Sequence, residues 1–393
     1  MLLIKNGNLI TMAGIYKQTG DILVKDGKIL EVGHIESIPE GCTVIDAAGR
    51  TVTPGLIEGH CHIGLNGSGG SVENDVNENT SPALPGLRGL DALKPNDPAF
   101  DVAVRHGVTT VVTGPGSSDI IGGTFVALKT AGTDLESRII ASEISIKMAL
   151  GENPKVNFGK RSKAPKTRMM NAAIMREQLF KAREYYNNYK ANGQNSDFSY
   201  DFHLHSLMRV FDGMRVKIHA HQADDIQTAI RIANEFGLHY SIDHCSEGHL
   251  FPDELAQNNV QCLIGPTLGG KSKFETRNKT FEAAKILEKA GITFGIITDA
   301  PVIPIEYQLL QLALYVKNGL SRQTALKCVT INSAIITDID SRVGSLEPGK
   351  DADIVIWDVD PLDTMGQAGI VMIDGQIAYE RKAGESNVDY QKL

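Results

Sequence analysis

Val52-Thr53-Pro54-Gly55-Leu56-Ile57-Glu58-Gly59-His60-Cys61-His62 is an apolar run that ends on two histidines one residue apart. It reads as a buried strand. Residues i and i+2 of a strand point to the same face, so His60 and His62 can chelate one metal ion at the strand end. Cys61 points the other way and is expected in the core, where free cysteine packs as a small hydrophobe. A lone His-x-His also occurs on ordinary surfaces, so the weight of this pair rests on residues further along the chain.

Downstream, strand and helix alternate. Val108 to Thr113, Arg138 to Lys147, Met214 to His221, Leu238 to His244, Val260 to Ile264 and Ile292 to Thr298 read as strands. Asn171 to Ala191, Ala223 to Phe236, Thr280 to Lys289, Pro304 to Lys317 and Arg322 to Cys328 read as helices. Such units over roughly 290 residues fit a closed (β/α)8 barrel, for which ~250 residues is typical. Segments 66–100 and 151–210 exceed ordinary connections and are expected to be active-site loops or a cap.

Both chain ends have a different texture. Asp21 to Val24 and Ile29 to Val32 flank an Asp26-Gly27 turn, and Ile370 to Ile373 leads into Asp374-Gly375, two hairpin signals. The ends are therefore expected to pair. This gives an α/β chain in two parts: a composite β-sandwich from residues 1–54 and 343–393, and a TIM-like barrel over residues 55–342.

Composition narrows the function. A net charge of -8 argues against general binding to nucleic acid or anionic membrane, and 42% hydrophobic residues suffice for a large core. Five cysteines without regular spacing suit a reducing compartment. Met1-Leu2-Leu3-Ile4-Lys5 is too soon interrupted for a signal peptide, and no apolar stretch approaches the ~18 residues of a membrane span. A soluble cytoplasmic protein acting on a small molecule is expected, with self-association left open.

Candidate ligands recur at strand ends: His60 and His62, then His219 and His221, then His244, then Asp299. In a barrel these ends converge on one mouth, where four of these histidines and the carboxylate would suit zinc or a similar divalent ion. With these residues the chain resembles the amidohydrolase superfamily, in the branch related to imidazolonepropionase and metal-dependent dipeptidases. The resemblance also rests on Gly107 to Val111, on Gly151-Glu152-Asn153-Pro154-Lys155 and on Val343 to Asp353.

The resemblance implies one or two divalent ions, zinc foremost. It places His60 and His62 on the first ion, and His219 and His244 on the second. Asp299 serves as ligand to the first and as proton shuttle. Lys147 is the candidate for a carboxylated lysine bridging both; its rival is a lysine snorkelling out of the strand end. His221 competes with His219 as ligand and otherwise contacts substrate as a catalytic residue. His203 and His205, in the polar run Asp197 to Ser206, are expected at the surface or in the cap.

Where relatives often carry other residues, this chain has Ala300, Gln222, Cys245 and Ser333. The basic stretch Lys155, Lys160, Arg161, Lys163, Lys166 and Arg168 either holds a substrate carboxylate or forms a solvated flap. Glu73, Asp75 and Glu78 either orient an amine or line an acidic surface loop. The first functional reading is a C–N hydrolase of dipeptide or N-acyl amino acid type, attacking an amide carbonyl with a metal-bound hydroxide. The second is a mononuclear hydrolase of a cyclic amide or amidine, or a deaminase. The third is a non-catalytic scaffold, which usually accompanies lost ligands; none is lost here.

Overall fold

The run from Val52 to His62 is two strands rather than one. It parts at Gly55, and the halves enter different sheets. The computed structural model describes residues 1–14, 18–66, 74–193, 198–363 and 365–382. The first sheet takes β1 (Leu2–Leu9), β2 (Gln18–Lys25), β3 (Lys28–Gly33), β4 (Thr43–Asp46) and β5 (Thr51–Pro54) from the front of the chain. The second takes β6 (Leu56–Cys61), β7 (Val108–Thr113), β8 (Ile121–Lys129), β9 (Ile139–Ala149), β10 (Arg215–Ala220), β11 (Tyr240–His244), β12 (Gln261–Ile264) and β13 (Phe294–Ile296). The chain then returns to the first sheet with β14 (Ile354–Val359), β15 (Gln367–Ile373) and β16 (Gln376–Glu380). Only glycine fits at the parting: a Cβ on Gly55 would stand 2.0 Å from Thr109 Oγ1.

The first sheet runs β16-β15-β14-β5-β1-β2-β3, with β4 on β1. β5 joins the two chain ends, parallel to β1 and antiparallel to β14. Ile4, Ile22 and Val52 share one buried cluster with Ile354 and Met372, so each end supplies part of a single core. Both hairpin turns form as expected. Asp26-Gly27 and Asp374-Gly375 each hold two consecutive residues at positive φ, which matches the twist of the flanking strands.

The barrel strands run in chain order from β6 to β13. β6 and β7 are parallel, and β9 through β13 are parallel. β8 runs antiparallel to both its neighbours, a departure from the all-parallel expectation. Nor does its sequence mark it as a strand. All of β8 is buried, so it shows no alternation, and Gly122-Gly123 blurs its start. A Cβ on Gly123 would meet Leu87 O at 2.4 Å, and bridges Ala83↔Ile121 and Arg88↔Thr124 lay part of segment 66–100 against β8.

Among the described residues no ladder joins β6 to β13, and side chains close that gap. The buried Glu58 Oε2 accepts from Thr298 N (2.9 Å) and Thr298 Oγ1 (2.7 Å), and Gln308 Nε2 donates to Ile57 O at 3.2 Å. Burial pushes the Glu58 carboxyl up to about 8, against the hydrogen bonds from Thr298. Among its described residues, segment 151–210 carries the α-helices Glu152–Lys160, Arg168–Asn192 and Phe202–Met208. No helix among the described residues is long and apolar enough to cross a membrane.

Candidate metal centre

β6 delivers His60 and His62 to the barrel mouth while Cys61 lies in the apolar core, as the strand period requires. His60 Nδ1 stands 2.8 Å from Asp243 Oδ2, and His62 Nδ1 stands 2.7 Å from the Gly114 carbonyl oxygen. A carbonyl only accepts, so His62 carries its proton on Nδ1 and presents a lone pair at Nε2. That lone pair points at Asp299 Oδ1, 3.2 Å away, and His60 Nε2 lies 3.5 Å from the same oxygen. Asp299 Oδ1 has no hydrogen-bond partner. Asp299 and His244 are both non-glycine residues at positive φ (55° and 70°), a strained backbone of the kind found at functional sites.

A second cluster faces the first. His219, His221 and His244 place their ligand atoms within 4.8 Å of one another, as do His60, His62 and Asp299. The rings of His221 and His244 stack at 4.6 Å, and His219 meets each edge-on. His244 Nδ1 contacts the Gly265 carbonyl at 2.8 Å, which again leaves Nε2 as the free lone pair. Ser117 Oγ holds His219 Nδ1 (2.9 Å) and Ser246 Oγ holds His221 Nδ1 (2.8 Å). Burial pushes His60 and His221 down to about 3, so both rings are neutral near pH 7. Neutral imidazoles, oriented through their far nitrogens and converging on a bare carboxylate oxygen, fit divalent cations. His219 and His221 thus enter the same cluster, where the sequence sets them as rivals.

Lys147 is fully buried and does not snorkel. Its Nζ lies 3.3 Å from His60 Nε2 and 3.8 Å from Asp243 Oδ2. Burial, opposed by Asp243 and Asp299, brings the amine down to about 8. Two neighbours, Lys217 and Asp243, belong to no motif that the sequence displays. Lys217, in register with Lys147, donates to Asp243 Oδ1 at 3.1 Å and to Gly59 O at 3.2 Å. Lys217 and His60 outweigh the burial of Asp243 and hold its carboxyl well below the usual range. The available signal is a charge inside a strand too apolar to be exposed, as in Val216-Lys217-Ile218 and Ile242-Asp243.

A cavity of about 680 Å³ opens above both clusters, lined also by Asn77, Asn153, Asn157, Lys160, Arg161 and Lys273. Arg161 Nη1 donates to Asn79 O at 2.8 Å. Arg168 is not free for substrate: its Nε lies 3.0 Å from Asp225 Oδ2 and its Nη2 is bound to Gln222. Asp75 is 3.6 Å from Lys94, Glu78 Oε1 accepts from Thr80 N, and Glu73 lies outside the described residues. His205 packs among Tyr185, Tyr189 and Tyr200, and with His203 on helix Phe202–Met208 it stands apart from both clusters; Asp197 lies outside the described residues.

Comparison with known proteins agrees with this architecture. The amidohydrolase family model matches residues 51–378. An amidohydrolase from Thermotoga maritima MSB8 superposes with a TM-score of 0.93 at 34% identity, over 97% of this chain and 100% of the other. Amidohydrolase tasK of Hapsidospora irregularis is 29% identical over 92% of this chain, which spans only 40% of that protein's length. Imidazolonepropionase of Brucella abortus (strain S19) is 26% identical over 86% of this chain and 87% of its own. From strand-end histidines to returning C-terminal strands, the chain belongs to the amidohydrolase family and is a hydrolytic enzyme.

Proposed function

We propose that the chain hydrolyses a linear amide, such as a dipeptide or an N-acyl amino acid, at a centre of two divalent ions. The observation that carries this reading is the set of acceptors at Asp299 Oδ1, where the lone pair of His62 Nε2 arrives at 3.2 Å. Two acceptors at that distance repel unless a cation or a proton lies between them. His60, His62 and Asp299 would hold one ion, and His219, His244 and His221 the other. Zinc at such a site supplies Lewis acidity, which lowers the pKa of water towards about 7 and polarises a carbonyl.

The chain's own groups do the rest. Asp299, through the carboxylate oxygen that does not face the two histidines, takes the proton of the attacking water and returns it to the departing nitrogen. His60 is held by Asp243, which Lys217 anchors in turn. Lys147, buried and with its amine brought down to about 8, suits reaction with carbon dioxide: the lone pair of the neutral amine forms the N–C bond, one proton leaves, and the resulting carbamate would lie beside His60. The asparagine-rich mouth, with Lys160, Arg161 and Lys273, suits a polar substrate with a free carboxylate. The likeness to imidazolonepropionase favours a second reading, opening of a cyclic amide around a single ion.

A paired screen separates the two. Dipeptides and N-acyl amino acids are assayed for amino acid release, and cyclic ureides, imidazolones and nucleobases for ring opening or ammonia. Turnover in the first panel, lost by several powers of ten in Asp299→Asn with the fold retained, is the expected result. Turnover confined to the second panel overturns the linear-amide reading.

A further inference from the structure

Glu275 lies in the loop after β12, in the short turn Phe274–Thr276, and it is completely buried. One carboxylate oxygen is accounted for. Oε2 accepts from Glu152 N at 2.9 Å, at the start of helix Glu152–Lys160. Gly151 makes room for it, since a Cβ there would stand 3.0 Å from that oxygen. The other oxygen, Oε1, has no hydrogen-bond partner. It faces His221 Nε2 at 3.7 Å and His219 Nε2 at 3.8 Å. Lys273 Nζ is also 3.8 Å away, but its close contact is Asn153 Oδ1 at 2.7 Å. The Asn153 amide nitrogen in turn stands 3.3 Å from His219 Nε2.

These separations are too long for direct hydrogen bonds. They are close to the ~3.4 Å edge that two ligand atoms span when each sits ~2.1 Å from one tetrahedral ion. We propose that Glu275 is a carboxylate ligand to the cation held by His219, His221 and His244. The inference rests on the two-ion reading and extends it. The second ion then has an anionic ligand of its own, so its retention does not depend on a carbamate at Lys147.

Protein stripped with chelator and reloaded with zinc tests this by metal counting and by chelator competition, without any substrate. Wild type should take up two ions per chain. Glu275→Gln should lose one of them, or bind it about 10-fold or more weakly; Glu275→Asp should fall between. Glutamine keeps an acceptor for the Glu152 amide and nearly the same volume, so the metal-free variant should melt close to wild type. Its deficit should lie in the zinc-induced rise in Tm. Two ions of unchanged affinity in Glu275→Gln overturn the assignment alone. So does a lower metal-free Tm with an unchanged zinc-induced rise, which marks a purely structural role. A wild type that takes up one ion, lost in His60→Ala/His62→Ala and indifferent to Glu275→Gln, overturns the two-ion reading and the Glu275 assignment together.

Discussion

Lys129 Nζ, at the end of barrel strand β8, lies 2.6 Å from Asp353 Oδ2, at the point where the chain re-enters the first sheet. The same ammonium reaches Asp351 Oδ2 at 3.0 Å and Asp374 Oδ1 at 3.4 Å, and Arg342 Nη2 approaches Asp351 Oδ2 at 2.8 Å. The Val343 to Asp353 segment thus serves as a charged staple between barrel and sheet. Removing one member of a buried pair leaves uncompensated charge, so Lys129→Met should cost about 3 kcal/mol in chemical denaturation at pH 7.

That cost should depend on pH. Burial raises the Asp351 carboxyl, but Lys129, Lys28 and Arg342 outweigh it and hold it below its ordinary value. A depressed carboxyl contributes stability above its unfolded pKa of ~3.9 and loses it as pH falls through the folded value. Asp374 is shifted the other way by burial, which blunts the effect. The gap between wild type and Lys129→Met should therefore shrink in denaturation curves below about pH 4. A gap that stays constant with pH removes the staple's electrostatic role.

Glu58 predicts the opposite slope. Its carboxyl is raised to about 8 by burial, so the folded state binds the extra proton between the unfolded value of ~4.3 and about 8. Stability then falls as pH rises through that window. Glu58→Gln cannot ionise, and its Tm relative to wild type should rise between pH 5 and pH 9. A parallel pair of Tm profiles contradicts the buried, protonated state of Glu58.

The carbamate at Lys147 is tested by reconstitution. Metal uptake by stripped wild-type protein should be faster or fuller with bicarbonate than in carbon-dioxide-depleted buffer, and Lys147→Met should not respond. Equal uptake in both buffers argues that the amine stays free.

Much of this architecture is legible in the sequence because it depends on local period. The His60/His62 pair, helix Ala223–Phe236 and the two Asp-Gly hairpins come from side-chain spacing and turn chemistry. What stays hidden depends on contacts between distant segments. Gly55 divides one apolar run because Thr109 crowds it, and the sequence around Gly55 carries no trace of Thr109. β8 is buried throughout, and nothing local sets its antiparallel direction. Asp243, Lys217 and Glu275 sit beside recognised residues, or in a loop with no periodicity; only the closed mouth brings them together.

The two-ion centre is the central claim, and anomalous diffraction at the zinc edge from crystals of the zinc-loaded protein tests it most directly. Two peaks ~3.5–4 Å apart are expected, one among His60, His62 and Asp299 and one among His219, His221 and His244. A single peak, or none in either cluster, would contradict it.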